Sequence, residues 1–209
     1  GGAYFDGTYN GMGDGFIVKF NNANALIWST YYGGTGFDEG ESIIVDGTAN
    51  VFINGMTDSG NLPTQVLAGA YNQAANGGSY DIFILKFDNA GVRQWATYYG
   101  GNDFDAFDTQ TGYRERTIAV DMSNGDIFIT GLTVSPNFPL QNPGGGAYFR
   151  NTLVAGSMDL FILQFSNIGV RKWATFFGTN SSETDAGLAV DINSCLFVTG
   201  EWRGASSNA

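Results

Sequence analysis

The sequence predicts an all-β fold in which a four-stranded antiparallel unit is written about three times. The segments DGFIVKF (14–20), DIFILKF (81–87) and DLFILQF (159–165) are copies of one another. Each is followed, 14 residues after its leading Asp, by Trp28, Trp95 or Trp173, which opens WSTYYGG, WATYYGG or WATFFGT. Gly contributes 31 of the 209 residues and aromatics 15%, a pairing that suits short strands joined by tight turns.

A second block recurs as ESIIVDGTANVFINGMT, RTIAVDMSNGDIFITGLT and AGLAVDINSCLFVTGEW, anchored on Asp46, Asp121 and Asp191. A connecting piece also repeats, with its register marked by Tyr4, Tyr71 and Tyr148. The three repeats span approximately 1–67, 68–144 and 145–209 of one continuous portion. The middle repeat carries eight extra residues within NDFDAFDTQTGYRER, which reads as an enlarged loop over 102–116.

In DIFILKF, Phe83, Leu85 and Phe87 alternate with Ile82, Ile84 and Lys86, so both faces of the strand are largely apolar. The turns DNAG (88–91), SNIG (166–169) and MSNGD (122–126) place Asn and Gly between apolar runs, a hairpin signal that makes the strands antiparallel. Four-stranded antiparallel sheets with two apolar faces bury both by stacking around an axis, which is a β-propeller. A parallel β-helix has shorter coils and lacks such hairpins. Propellers close with about four to eight blades, so this propeller is incomplete and the remaining repeats are expected elsewhere in the same polypeptide. The chain opens Gly-Gly-Ala-Tyr without Met, as expected of a piece of something longer. Hairpin alternation puts the tight turns on one rim and the longer connections, which hold every proline, on the other.

The balance of 9 basic against 20 acidic residues gives a net charge of −11. Such a field repels phosphate backbones and anionic lipid, so no nucleic-acid partner and no direct membrane insertion are expected. The absence of histidine removes the commonest general base and metal ligand, and with them Ser-His-Asp and Cys-His catalysis. The single cysteine, Cys195, cannot form an intrachain disulfide. No nucleophile and base pair, metal-ligand spacing or phosphate loop stands out, so the chain is expected not to be an enzyme.

The succession W(S/A)TYYGG, (I/A)VD, (V/I)FI(N/T)G(M/L)T, N(L/F)P and GAY resembles the SBBP family of bacterial β-propeller repeats over nearly the whole chain. The resemblance implies a secreted or cell-surface protein, in some members exported by the type IX route of gliding bacteria, with protein or glycan partners at the surface. It also implies that the IAVD segment is the innermost strand and the WATYYGG segment the outermost, giving complete blades at about 41–101 and 116–179. The function expected is a non-catalytic scaffold or binding module. A propeller-type carbohydrate-active enzyme using rim carboxylates and a structural spacer in a filament are the alternatives.

Asp103, Asp105 and Asp108 place three carboxylates within six residues, and hard oxygen ligands of this kind suit calcium. The order NDFDAFD lacks the Gly and distal Glu of an EF-hand loop, so a solvated acidic loop is the ordinary account and no cofactor is required. Asp38, Glu39, Glu183 and Asp185 occupy the corresponding loops. Asp46, Asp121 and Asp191, and likewise Asp14, Asp81 and Asp159, read as acceptors for the backbone of the turn that follows. Trp28, Trp95 and Trp173 read as blade packing. Tyr113, Arg114 and Trp202 have no recurring counterpart and are candidate ligand contacts, by the enrichment of such residues at binding surfaces.

Overall fold

The computed structural model describes residues 3–106, 117–153, 158–178 and 182–203. The described residues are all β, with every ladder antiparallel. The first repeat opens on a hairpin of β1 (Gly15–Phe20) and β2 (Leu26–Tyr32). A complete sheet follows from β3 (Asp38–Val45), β4 (Val51–Thr57), β5 (Asp81–Phe87) and β6 (Arg93–Tyr99), paired in chain order.

The next sheet contains β7 (Asp105–Ala106), β8 (Ile118–Val120), β9 (Ile127–Thr133), β10 (Asp159–Phe165) and β11 (Arg171–Phe177). Both β7 and β8 pair with β9, so together they take the place that β3 holds alone. A last hairpin joins β12 (Ser182–Val190) to β13 (Leu196–Arg203).

The equivalence of the repeats is visible in register. Trp28 pairs with Lys19, Trp95 with Lys86 and Trp173 with Gln164, each followed by a bulge at the next residue of the inner partner. The strands β3, β8 and β12 lie against one another in succession, as innermost strands around an axis do. Thr117 ties two of them, accepting from Asn54 Nδ2 at 2.9 Å and donating its N–H to Ser42 Oγ at 3.2 Å.

Successive blades meet through one recurring seam. The Tyr4 N–H donates to Gly91 O at 2.9 Å and the Tyr71 N–H to Gly169 O at 2.8 Å, so the first two of the three connecting segments grip the outer turn of the next blade. The guanidinium of that blade covers the tyrosine: Arg93 lies 4.4 Å from the Tyr4 ring centre and Arg171 4.8 Å from that of Tyr71. Trp95 is fully buried against Phe165 of the following blade, and its indole N–H donates to Tyr71 O at 2.9 Å. Lys86 crosses the same seam to Asn167 O at 2.6 Å. The central sheet therefore has both faces covered, whereas Phe16 on β1 is 73% and Phe197 on β13 59% exposed.

Two expectations are corrected. The eight extra residues do not lengthen a rim connection. They fall between β7 and β8, where the equivalent strand β3 carries its bulge between Gly40 and Ser42. A bulge already leaves residues outside the ladder, so it accepts an insertion without unpairing the strand on either side. Trp202 does have positional counterparts: it stands opposite Glu183 as Thr57 stands opposite Asp38 and Thr133 opposite Asp105.

Candidate functional site

The tight turns and the longer connections separate onto opposite rims. Turns 46–50, 88–92, 121–126, 166–170 and 191–195 share one rim, each closed by an N–H to C=O bond between its end residues. Asp46, Asp121 and Asp191 cap them as their side chains predict. The Asp46 carboxylate accepts from the N–H groups of Thr48 and Asn50 at 2.8 and 2.9 Å, and Asp121 accepts from Ser123 N and Oγ at 2.8 and 2.6 Å. Asp191 repeats the arrangement with Asn193 and Cys195, both at 2.8 Å.

The opposite rim carries the chemistry that the sequence did not announce. Asp14, Asp81 and Asp159 do not serve the turn that follows. They stand at the start of their strands and face the loop before it: Asp14 accepts from the Asn10 N–H at 2.9 Å, and Asp81 from the Gly77 N–H at 3.0 Å. Opposite each sits a second carboxylate from the next innermost strand. Asp38 Oδ2 accepts from Gly34 N at 2.6 Å and Ser59 Oγ at 2.7 Å, and Asp105 Oδ2 from Gly101 N at 2.5 Å and Ser135 Oγ at 2.7 Å.

The two acids of a pair converge on the glycine that ends the aromatic strand. A methyl placed on Gly100 would lie 2.5 Å from Asp81 Oδ1 and 3.0 Å from Asp105 Oδ2. On Gly33 it would lie 2.6 Å from Asp14 Oδ1 and 3.0 Å from Asp38 Oδ2. Gly178 is met in the same way by Asp159 and Glu183. Only a residue without Cβ lets both carboxylates approach. Asp81, Asp105 and Asp159 have no exposed surface at all.

One position facing the pair varies in charge. Asp6, Gln73 and Arg150 occupy it in turn, each donating its backbone N–H to the repeated threonine, Thr30, Thr97 or Thr175. Arg150 forms an ion pair with Asp159 at 3.3 Å. Gln73 Nε2 donates to Asp81 Oδ2 at 2.6 Å, while Asp6 turns to its own loop and accepts from Thr8 and Asn10.

Of the proposed calcium ligands, Asp103 and Asp105 are not brought together. Asp103 is exposed and accepts from the Phe104 N–H at 3.0 Å, whereas Asp105 is buried in its pair, where Gly101 N and Ser135 Oγ hold it. Asp108 lies outside the described residues, and among those described no three acidic or thiol groups form a metal cluster. Glu39, Glu183 and Asp38 lie on the strands that follow those loops, and the Asp185 side chain is outside the described residues. Tyr113 and Arg114 also lie outside them, within the insertion between β7 and β8. Trp202 is 36% exposed on β13. Cys195 is free and exposed in its turn. Among the described residues no helix is long and apolar enough to cross a membrane.

No family model matches the chain. It is similar to an uncharacterised WD repeat-containing protein of Acanthamoeba polyphaga mimivirus, 27% identical over 203 residues that cover 91% of this chain and 14% of the relative. The chain therefore spans about a seventh of the length of that relative. The likeness joins the register of the three copies in placing this chain among repeat-built proteins of propeller type.

Proposed function

We propose that the chain is a non-catalytic binding scaffold, part of an SBBP-type propeller in a secreted or cell-surface bacterial protein that engages a protein or glycan. The observation that carries this reading is the division of labour between recurring and non-recurring residues. The recurring Trp, Tyr, Asp and Gly positions are consumed by the blades and their seams. What does not recur is concentrated in the insertion that the sequence places between β7 and β8 and in the loops of the longer-connection rim. Variation placed on a rigid frame is how a scaffold acquires a ligand.

The carboxylate pair of the central junction supports the non-catalytic version of this role. A glycosidase needs two carboxyl groups reached by substrate, whereas Asp81 and Asp105 are sealed behind Gly100. Secretion, type IX export and adhesion belong to the same proposal through the SBBP-like motifs.

A variant in which 107–116 is replaced by the two residues Gly-Glu found at 40–41 tests the reading. Screened on glycan and surface-protein arrays, the intact chain should bind saturably without converting its ligand. The shortened chain should keep its melting temperature and lose binding. Undiminished binding by the shortened chain, or turnover of an arrayed glycan, would overturn the proposal.

A further inference from the structure

The junction closed by Gly100 holds two buried acids and no base. Asp81 Oδ2 is satisfied by Gln73 Nε2 and Gly77 N, while Asp81 Oδ1 is buried without a hydrogen-bond partner. That atom and Asp105 Oδ2 face the same point beside the Gly100 Cα, within 3.0 Å of it. Every donor to the two carboxylates is neutral: the Gln73 amide, backbone N–H groups, and the hydroxyls of Ser135 and Thr133.

We propose that Asp81 and Asp105 share one proton near neutral pH, and that losing it loosens this blade junction, which makes the seam a pH-sensitive joint.

An unsatisfied buried carboxylate oxygen beside a second carboxylate is stabilised most simply by a proton between them, as in other acid pairs that cannot both ionise. A calcium or magnesium ion would demand about six oxygen ligands, but beyond the two converging carboxylate oxygens the groups hydrogen-bonded to this pair are donors. The Gln73 amide is held in its donating orientation because its Oε1 accepts from the Gly100 N–H at 3.2 Å.

The third repeat supports the assignment. There Arg150 takes the place of Gln73 and supplies Asp159 with the positive charge that the second junction lacks. Among the described residues, the other lysine or arginine ion pair is Lys172 with Asp126, on another part of the blade. The remaining groups around the pair are Asp103, which adds negative charge beside Asp105, and Tyr71, Tyr98 and Tyr99, all held neutral by burial. Arg171 is engaged over the Tyr71 and Tyr99 rings.

Burial first, and then the charge of Asp105, push the Asp81 carboxyl up to about 7; burial pushes that of Asp105 up to about 6. A carboxyl raised in the folded state binds its proton more tightly there than in the unfolded chain. Its contribution is therefore complete below about pH 4 and lost as pH rises toward about 7.

The melting temperature of the full chain should consequently fall, on the order of 5 °C, between about pH 5.5 and about pH 8.5. Asp81→Asn, which mimics the protonated acid, and Gln73→Arg, which copies the third repeat, should each remove most of that fall. Carboxyl carbon shifts followed by NMR in the unmutated chain should show one aspartate titrating near pH 7. If Asp81→Asn does not fold, Gln73→Arg and the NMR titration decide the matter. Three results would each overturn the proposal: a pH slope that persists in Gln73→Arg, carboxyl midpoints that all lie near pH 4, or calcium chloride restoring the melting temperature of the unmutated chain at high pH.

Discussion

Replacing Gly169 with alanine probes how tightly successive blades are pressed together. Gly169 sits in the turn between β10 and β11 at φ +77°, and a methyl there would lie 2.9 Å from both the Trp95 ring and the Ala70 Cβ. Left-handed backbone costs an L-residue about 1–2 kcal/mol. Forcing one more carbon into a packed seam adds about 1–3 kcal/mol, so Gly169→Ala should lose roughly 2–5 kcal/mol. Gly144 provides the control. It has the same φ of +77°, yet an added methyl would meet no atom within 4 Å. Gly144→Ala should therefore lose the backbone contribution alone, about 1–2 kcal/mol. Urea unfolding followed by tryptophan fluorescence measures both variants, and the difference between them isolates the seam. Equal losses would mean that the Trp95 ring is not held against the next blade, and the packing argument would fail.

Trp95→Ala should cost about 3–5 kcal/mol, because the ring is fully buried and its N–H is spent on Tyr71 O. The same change at the half-buried Trp173 should cost less in the same urea titration. Tyr4→Ala removes the ring under Arg93 and should weaken the first seam by about 0.5–1 kcal/mol beyond the lost apolar area, measured by a double-mutant cycle with Arg93→Ala. At the acid end, burial tends to raise the Asp46 and Asp121 carboxyls, but hydrogen bonds from Asn50 and Thr48, and from Ser123, outweigh it and hold both below the usual range. Their stabilisation is present above about pH 4 and is lost as pH falls through the depressed values. Asp121→Ala should accordingly flatten the acid limb of a stability profile, and an unchanged limb would remove these turn caps from the explanation.

Much of this architecture was legible because it depends on short-range pattern. The constant distance from Asp to Trp fixes which residues of a hairpin face each other, and Lys86 opposite Trp95 is its direct product. Asn-Gly turns and the Asp46 set concern neighbours along the chain, where side-chain chemistry alone decides the outcome. The carboxylate pairs are another matter. Asp81 and Asp105 are 24 residues apart, and the meeting point is a glycine that sequence reasoning takes for a strand-end turn. What could have exposed it is co-occurrence: an acid opening the aromatic-strand hairpin, a glycine after the aromatic pair, and a second acid five residues on, in all three repeats.

The insertion was misplaced for a related reason. A length difference between two anchors locates extra residues only to an interval, and the flexible end of that interval draws the assignment toward a loop. The ladder resolves it, because Ala106 pairs as Glu39 does and Ile118 as Ile43 does, leaving the bulge as the point of entry. Bulges are over-represented next to functional sites, where they redirect or end pairing. Tyr113, Arg114 and Asp108, which do not recur, fall within this insertion in the sequence. That is why the loop-shortening experiment is aimed there and not at the proline-bearing connections.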